Sequence, residues 1–151
     1  MSTVDPRTPV IVGAGQFLQR PQDPADALEP VEMMAEAVRR AAQDAGVAGL
    51  AGRADAVRVV KGAWPYHDPG RILADRLGAS PRQTALSTDG GNTPQSLVNR
   101  SCLEIQAGRL DVVVLVGGEG IWSRRRARRA GKTIPYTDDS TSAAGEALSS
   151  V

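Results

Sequence analysis

The stretch "DVVVLVGG", Asp111 to Gly118, constrains this chain more than any other. An unbroken Val/Leu run stopped by two glycines is too short for a typical helix. It has no polar face, so it reads as a strand buried on both sides, as in the centre of a parallel sheet. Parallel strands need crossover connections, usually helices. The flanking sequence supplies them, because strand-like and helix-like stretches alternate along the chain, and an α/β fold follows. With 151 residues there is room for one such domain.

The other elements follow from the same patterns. "PVIVGAG" (Pro9–Gly15) is a short apolar run ended by glycines and predicts a buried strand. From Val31 to Ala45, an apolar stripe of Val31, Met34, Ala35, Val38, Ala42 and Ala45 predicts a helix, with Pro30 opening it and Gly46 just past its end. "ADAVRVVKG" (Ala54–Gly62) predicts a strand. Asp68 is a candidate cap for a helix that Pro69 opens and Gly78 closes after Leu77. "QTALST" (Gln83–Thr88) predicts a third strand. The helix expected from Pro94 to Ala107 turns Leu97, Val98, Cys102, Ile105 and Leu103 inward. The organisation expected is a domain over residues 1–118, then an arginine-rich loop excursion over 119–151 in which "TSAAGEAL" starts a helix.

Composition removes several classes of function. A formal net charge of +1 does not suit a generally basic nucleic-acid binder. One cysteine, Cys102, leaves no internal disulfide and fits a reducing compartment, so the cytoplasm is expected. No apolar run approaches the ~20 residues of a membrane helix, and no secretory signal is apparent. One histidine and one cysteine cannot assemble a zinc site, so no metal is expected. Nor do they make a convincing nucleophile pair: Cys102 falls on the apolar stripe of a helix, and His67 lies in a loop after another strand.

Three constellations carry possible chemistry. "VGAGQFL" (Val12–Leu18) offers Gly13 and Gly15 of a dinucleotide fingerprint but has Leu18 at the third glycine, and no helix follows. A nicotinamide-dependent oxidoreductase rests on that fragment alone. "RRRARR" (Arg124–Arg129), with Lys132 nearby, could grip a phosphorylated ligand through guanidinium forks or be a solvated loop. Nucleic acid fits less well, since few aromatics are available for stacking. The turn Asp89–Pro94 lies between a strand and a helix, where α/β enzymes often place a nucleophile or an oxyanion site of backbone N–H groups. An ordinary strand–helix connection would read the same way.

The order of these pieces resembles the thiolase superfamily. "TPVIVGAG", a helix ending "AAQDAGV", "ADAVRVVKG" and above all "IQAGRLDVVVLVGGEG" (Ile105–Gly120) carry the resemblance, which extends from about Thr8 to Trp122. "HDPGRILADRLGA" and "GGNTPQSLVN" are similar to actinobacterial thiolase-like proteins of the acetyl-CoA acetyltransferase kind. The resemblance implies the first portion of a thiolase half: a mixed, mainly parallel sheet with helices on both faces, and a helix Pro94–Ala107 that is the most buried in the full fold, between its two halves, and is left exposed with a sheet edge on this chain alone. It implies an acyl-CoA ligand and acyltransferase chemistry in lipid metabolism. It places the family's nucleophilic cysteine at Gly91 or, with a one-residue slip, at Asn92, where none stands, so no catalytic residue and no cofactor beyond the CoA ligand are expected.

It further implies an oxyanion or acyl pocket at Asn92 and Thr93, with CoA phosphates on Arg124, Arg125 and Arg128. Pairing into a homodimer would run through Gln83–Thr88, or a partner chain would supply the second half, with its histidine base and second cysteine. On these expectations the chain is an acyl-CoA-binding module without Claisen activity of its own. Otherwise it is a truncated fragment of a longer enzyme with no independent function.

Overall fold

A computed structural model describes residues 4–148. Four strands form one sheet: β1 (Ala56–Val59), β2 (Gln83–Ser87), β3 (Val113–Val116) and β4 (Glu146–Leu148). Their order is β3-β1-β2-β4 and every pairing is parallel. Four α-helices connect or flank them: α1 (Pro30–Asp44), α2 (Pro69–Leu77), α3 (Thr93–Gln106) and α4 (Ile121–Arg129). The α/β fold with a parallel sheet is therefore as expected.

Helices cover both faces, and the alternation along β1 shows how. Val57 and Val59 join the main core with Val31, Met34, Ala35 and Val38 of α1 and with Ile72 and Leu73 of α2. One residue out of phase, Arg58 points to the other face and bonds Ser101 and Glu104 of α3. Local signals place α2 as expected: the Asp68 carboxylate accepts from Arg71 N at 3.0 Å, and Gly78 ends the helix with φ of 64°.

Several expectations are corrected. Pro9–Gly15 forms no strand; Val10, Ile11 and Val12 are 71%, 88% and 59% exposed. Instead of pairing, the segment lies along α1, where a Cβ at Gly13 would fall 2.1 Å from Ala41 O and one at Gly15 2.3 Å from Ala37 O. Those glycines allow backbone to cross backbone, and no helix starts there to cradle a dinucleotide phosphate. The fully buried central strand is β1. The Val-rich β3 stands at an edge, with Leu115 exposed, because the crossover through α3 carries the chain past β1 to the far side.

Helix α3 is partly exposed, as expected of this chain on its own: its inner face is Thr93, Ser96, Leu97 and Ser101, while Val98, Cys102 and Ile105 are half-buried and Leu103 is exposed. The sheet face beneath it presents the Arg58 guanidinium, which selects small hydroxyl side chains rather than bulky apolar ones. Helix α1 holds the more deeply buried apolar stripe. Gln83–Ser87 has strands on both sides, so it offers no open edge for a dimer. Beyond residue 118 the chain forms α4, and "TSAAGEAL" enters strand β4 instead of a helix.

The segment leading to β4 is fastened by carboxylates. Glu29 accepts from Tyr66 OH and from Thr137 N, each at 2.6 Å. Burial, reinforced by the neighbouring Glu29, pushes the Tyr66 phenol well above its ordinary range. Asp139 Oδ2 accepts from the backbone N–H groups of His67 and Asp68 at 2.9 and 2.8 Å.

Candidate functional site

In an open parallel sheet, ligands bind at the carboxyl ends of the strands, where neighbouring strands send their connections to opposite faces. Here that point lies between β1, which leads to α2, and β2, which leads to α3. The turn Asp89–Asn92 sits at this crevice and is exposed, and α3 starts from it with Thr93 buried.

The geometry of the turn is specific. Thr93 N and Thr93 Oγ1 both donate to Gly90 O, at 3.2 and 2.8 Å. Ser87 Oγ at the end of β2 lies 3.4 Å from Thr93 Oγ1 and accepts from Lys61 N at 2.9 Å. Asn92 is the N-cap of α3 at φ −91°, its side chain making no cap bond, and Pro94 brings no N–H to the first turn. Thr93 is thus spent on shaping the turn, and Asn92 and Gly91 are the residues presented outward.

Gly91 and Asn92 are thus exposed, at a helix N-terminus and at the sheet's carboxyl edge. Cys102 is about two and a half turns along α3 and half-buried. A thiol at the helix start would be activated by the N-terminal dipole. Asn92→Cys is expected to react with iodoacetamide several-fold faster than Cys102, as read by peptide mass spectrometry. Equal rates would show that the turn does not activate a nucleophile.

The arginine block is not a loop but α4, which packs against the turn Pro24–Asp26 with Ser123 and Ala127 buried and Ala127 clustered with Ala27 and Ile134. Its guanidiniums divide by role. Arg124 donates to Ala63 O at 2.8 Å. Arg126 donates to Pro21 O and Gln22 O and lies over the Trp122 ring. Lys132 is paired with Asp23, whose carboxyl that ammonium holds below its usual range. Arg125, Arg128 and Arg129 are exposed, with no side-chain partner among the described residues.

Hydrogen bonds link the two clusters. Glu119, just past β3, accepts from Ala63 N, while Arg124 holds the carbonyl of the same residue. Trp64 Nε1 donates to Gly118 O at 3.0 Å. A Cβ at Gly62 would meet Trp64 Nε1 at 2.3 Å and Glu119 Oε1 at 2.7 Å, so any larger residue would push these two side chains off their partners. Lys61, Ser87 and Glu119 were not singled out by motif reasoning. The available signal was their place, at or within three residues of the carboxyl ends of three strands that converge only in the folded sheet.

The Arg58 cluster was missed as well. Arg58 is fully buried, ion-paired with Glu104, and bonded to Ser101 Oγ at 2.8 Å and Gln83 Oε1 at 2.9 Å; its Nε has no hydrogen-bond partner among the described residues. An arginine in the middle of an apolar strand was the signal, since such a charge is buried only with a counter-charge. Its role is in the sheet, away from the carboxyl edge.

No protein-family model matches this sequence, and no curated protein does. Among solved structures, the chain is similar to a monomeric SCP2-thiolase-like protein type 1 from Mycobacterium smegmatis. The two share 35% identity and a TM-score of 0.69, over 80% of this chain and 25% of that one. The chain spans about a quarter of that structure's length. No helix among the described residues is long and apolar enough to cross a membrane.

Proposed function

We propose, from the premise that this chain has the fold of a thiolase-superfamily protein, that it is an acyl-CoA-binding segment that does not itself carry acyl groups covalently. The observation behind this reading is the pairing of an exposed, unengaged arginine face on α4 with a helix-start turn that has Gly91 and Asn92 where the family places its cysteine. Arg125 and Arg128 contact the 3′-phosphate or pyrophosphate of CoA, for which bidentate guanidinium groups are suited. The acyl end lies toward Asn92 at the switch point between β1 and β2, in the turn that Thr93 shapes from beneath. Without a thiol nucleophile the first step of two-step Claisen chemistry has no acceptor. Any acyltransferase activity therefore requires groups from outside this segment, supplied by a longer chain or a partner.

Thermal unfolding with acetoacetyl-CoA tests the reading. At about 100 times Kd the ligand adds roughly 2.7 kcal/mol, which raises the midpoint by several degrees in a domain of this size. Replacing Arg125 and Arg128 by Ala is expected to remove most of that rise. A midpoint indifferent to acetoacetyl-CoA, or a rise unchanged by the substitutions, would overturn it.

A further inference from the structure

We infer that Arg124 and Glu119 are positioning residues of the proposed CoA site, and that the contacts to phosphate fall to Arg125, Arg128 and Arg129. The inference rests on the CoA reading and changes its division of labour. Arg124, the first arginine of the block, spends its guanidinium on a backbone carbonyl, Ala63 O, at 2.8 Å. Glu119 takes the N–H of the same residue, so the Ala63 backbone is clasped on both sides by side chains flanking the start of α4. Trp64 adds a third tie, to Gly118 O.

The clasped loop is the exit of β1. Its near end is Lys61, whose N–H is bonded to Ser87 Oγ, which in turn lies against Thr93 at the start of α3. Arg124 and Glu119 therefore fix α4 relative to the turn that receives the acyl end, without facing the ligand. Three of the other four arginines are arranged to face it; Arg126 is held by Pro21 O and Gln22 O. At 3.6 residues per turn, Arg125, Arg128 and Arg129 fall within an arc of about 100°, opposite the buried Ser123 and Ala127. All three are exposed and unengaged among the described residues.

CoA and 3′-dephospho-CoA, which lacks one phosphate, separate contact from positioning. Their affinities are to be measured by calorimetry well below the unfolding midpoint, for the wild type and for each variant. The triple variant Arg125→Ala, Arg128→Ala, Arg129→Ala is expected to weaken CoA at least tenfold, the scale of one charge-assisted hydrogen bond, and to bring the two ligands to similar affinity. Arg124→Ala is expected to weaken both ligands by the same factor, leaving their ratio as in the wild type.

Arg124→Lys, which can still donate to Ala63 O, restores most of that loss, and Glu119→Gln, which keeps an acceptor for Ala63 N, changes little. A purely structural role would lower the unfolding midpoint and leave both affinities alone, which overturns the inference. So does a ratio that narrows in Arg124→Ala. If that variant does not fold, a narrowed ratio in Arg124→Lys or Glu119→Gln has the same meaning. Binding of neither ligand by the wild type instead overturns the CoA reading, and this inference with it.

Discussion

Glu104→Ala is expected to lower the unfolding midpoint by roughly 10 °C. The substitution leaves the Arg58 guanidinium, with no exposed surface, without its carboxylate in the interior of the sheet. Breaking a buried pair on one side costs about 3–5 kcal/mol, and a domain of this size loses about 2–4 °C per kcal/mol. The same pair predicts a pH dependence. Burial alone would raise the Glu104 carboxyl, but hydrogen bonds and charge from Arg58 and Arg100 outweigh it and hold the group below its ordinary value. A carboxyl depressed in the folded state contributes stability above its unfolded pKa and loses it as pH falls through the folded value. The wild type should therefore lose stability below about pH 4.3, more steeply than Glu104→Gln, which has no proton to take up there. Denaturant titrations of both proteins across that window decide the matter; parallel curves would show that the pair is not linked to folding.

The second large effect lies under the exit of β3. Met34 is 1% exposed, and its Cγ would stand 2.7 Å from a Cβ placed on Gly118. Met34→Ala is expected to destabilise by about 2–5 kcal/mol through lost packing and the cavity left behind. Gly118→Ala should destabilise the wild type, because the Met34 side chain must give way. In the Met34→Ala background the obstructing atoms are gone, so the same change is expected to be much milder. A double-mutant cycle read by denaturant unfolding should then show a coupling of about 1 kcal/mol, and simple additivity would refute the contact.

What could be read without the fold was what each segment decides for itself. Asp68 and Gly78 bracket α2 through local caps, and the stripe from Val31 to Val38 fixes the buried side of α1 by its own period. The turn Asp89–Pro94 was legible as a strand–helix junction because strand, turn and helix follow one another in the chain. What depended on a distant neighbour was not legible. "PVIVGAG" has a strand's composition, yet a strand exists only where another offers it hydrogen bonds, and this one meets α1 instead. The run Val113–Val116 is apolar enough for a centre and stands at an edge. Helix α3 turns Ser96 and Ser101 inward because of Arg58, which is far away in sequence. In the block Arg124–Arg129, composition could not separate the guanidinium that braces a loop from those left free, since the partner, Ala63 O, belongs to the β1 exit.

An all-parallel sheet also shapes how this chain reaches its fold. No pair of its strands can begin as a hairpin, so each alignment waits for an intervening helix to form and dock. β1 and β2 are separated only by α2 and can zip first, whereas β4 must return to β2 after everything else has been traversed. Until it does, β2 has one bare flank, and its residues Ala85 to Ser87 are free to align with a neighbouring molecule. If they form before β4 docks, the ties from Glu29 to Thr137 and from Asp139 to the start of α2 shorten that wait by tethering the returning segment. Their physical importance is then kinetic: they set how long a half-built sheet stays open to capture by another molecule at a given protein concentration.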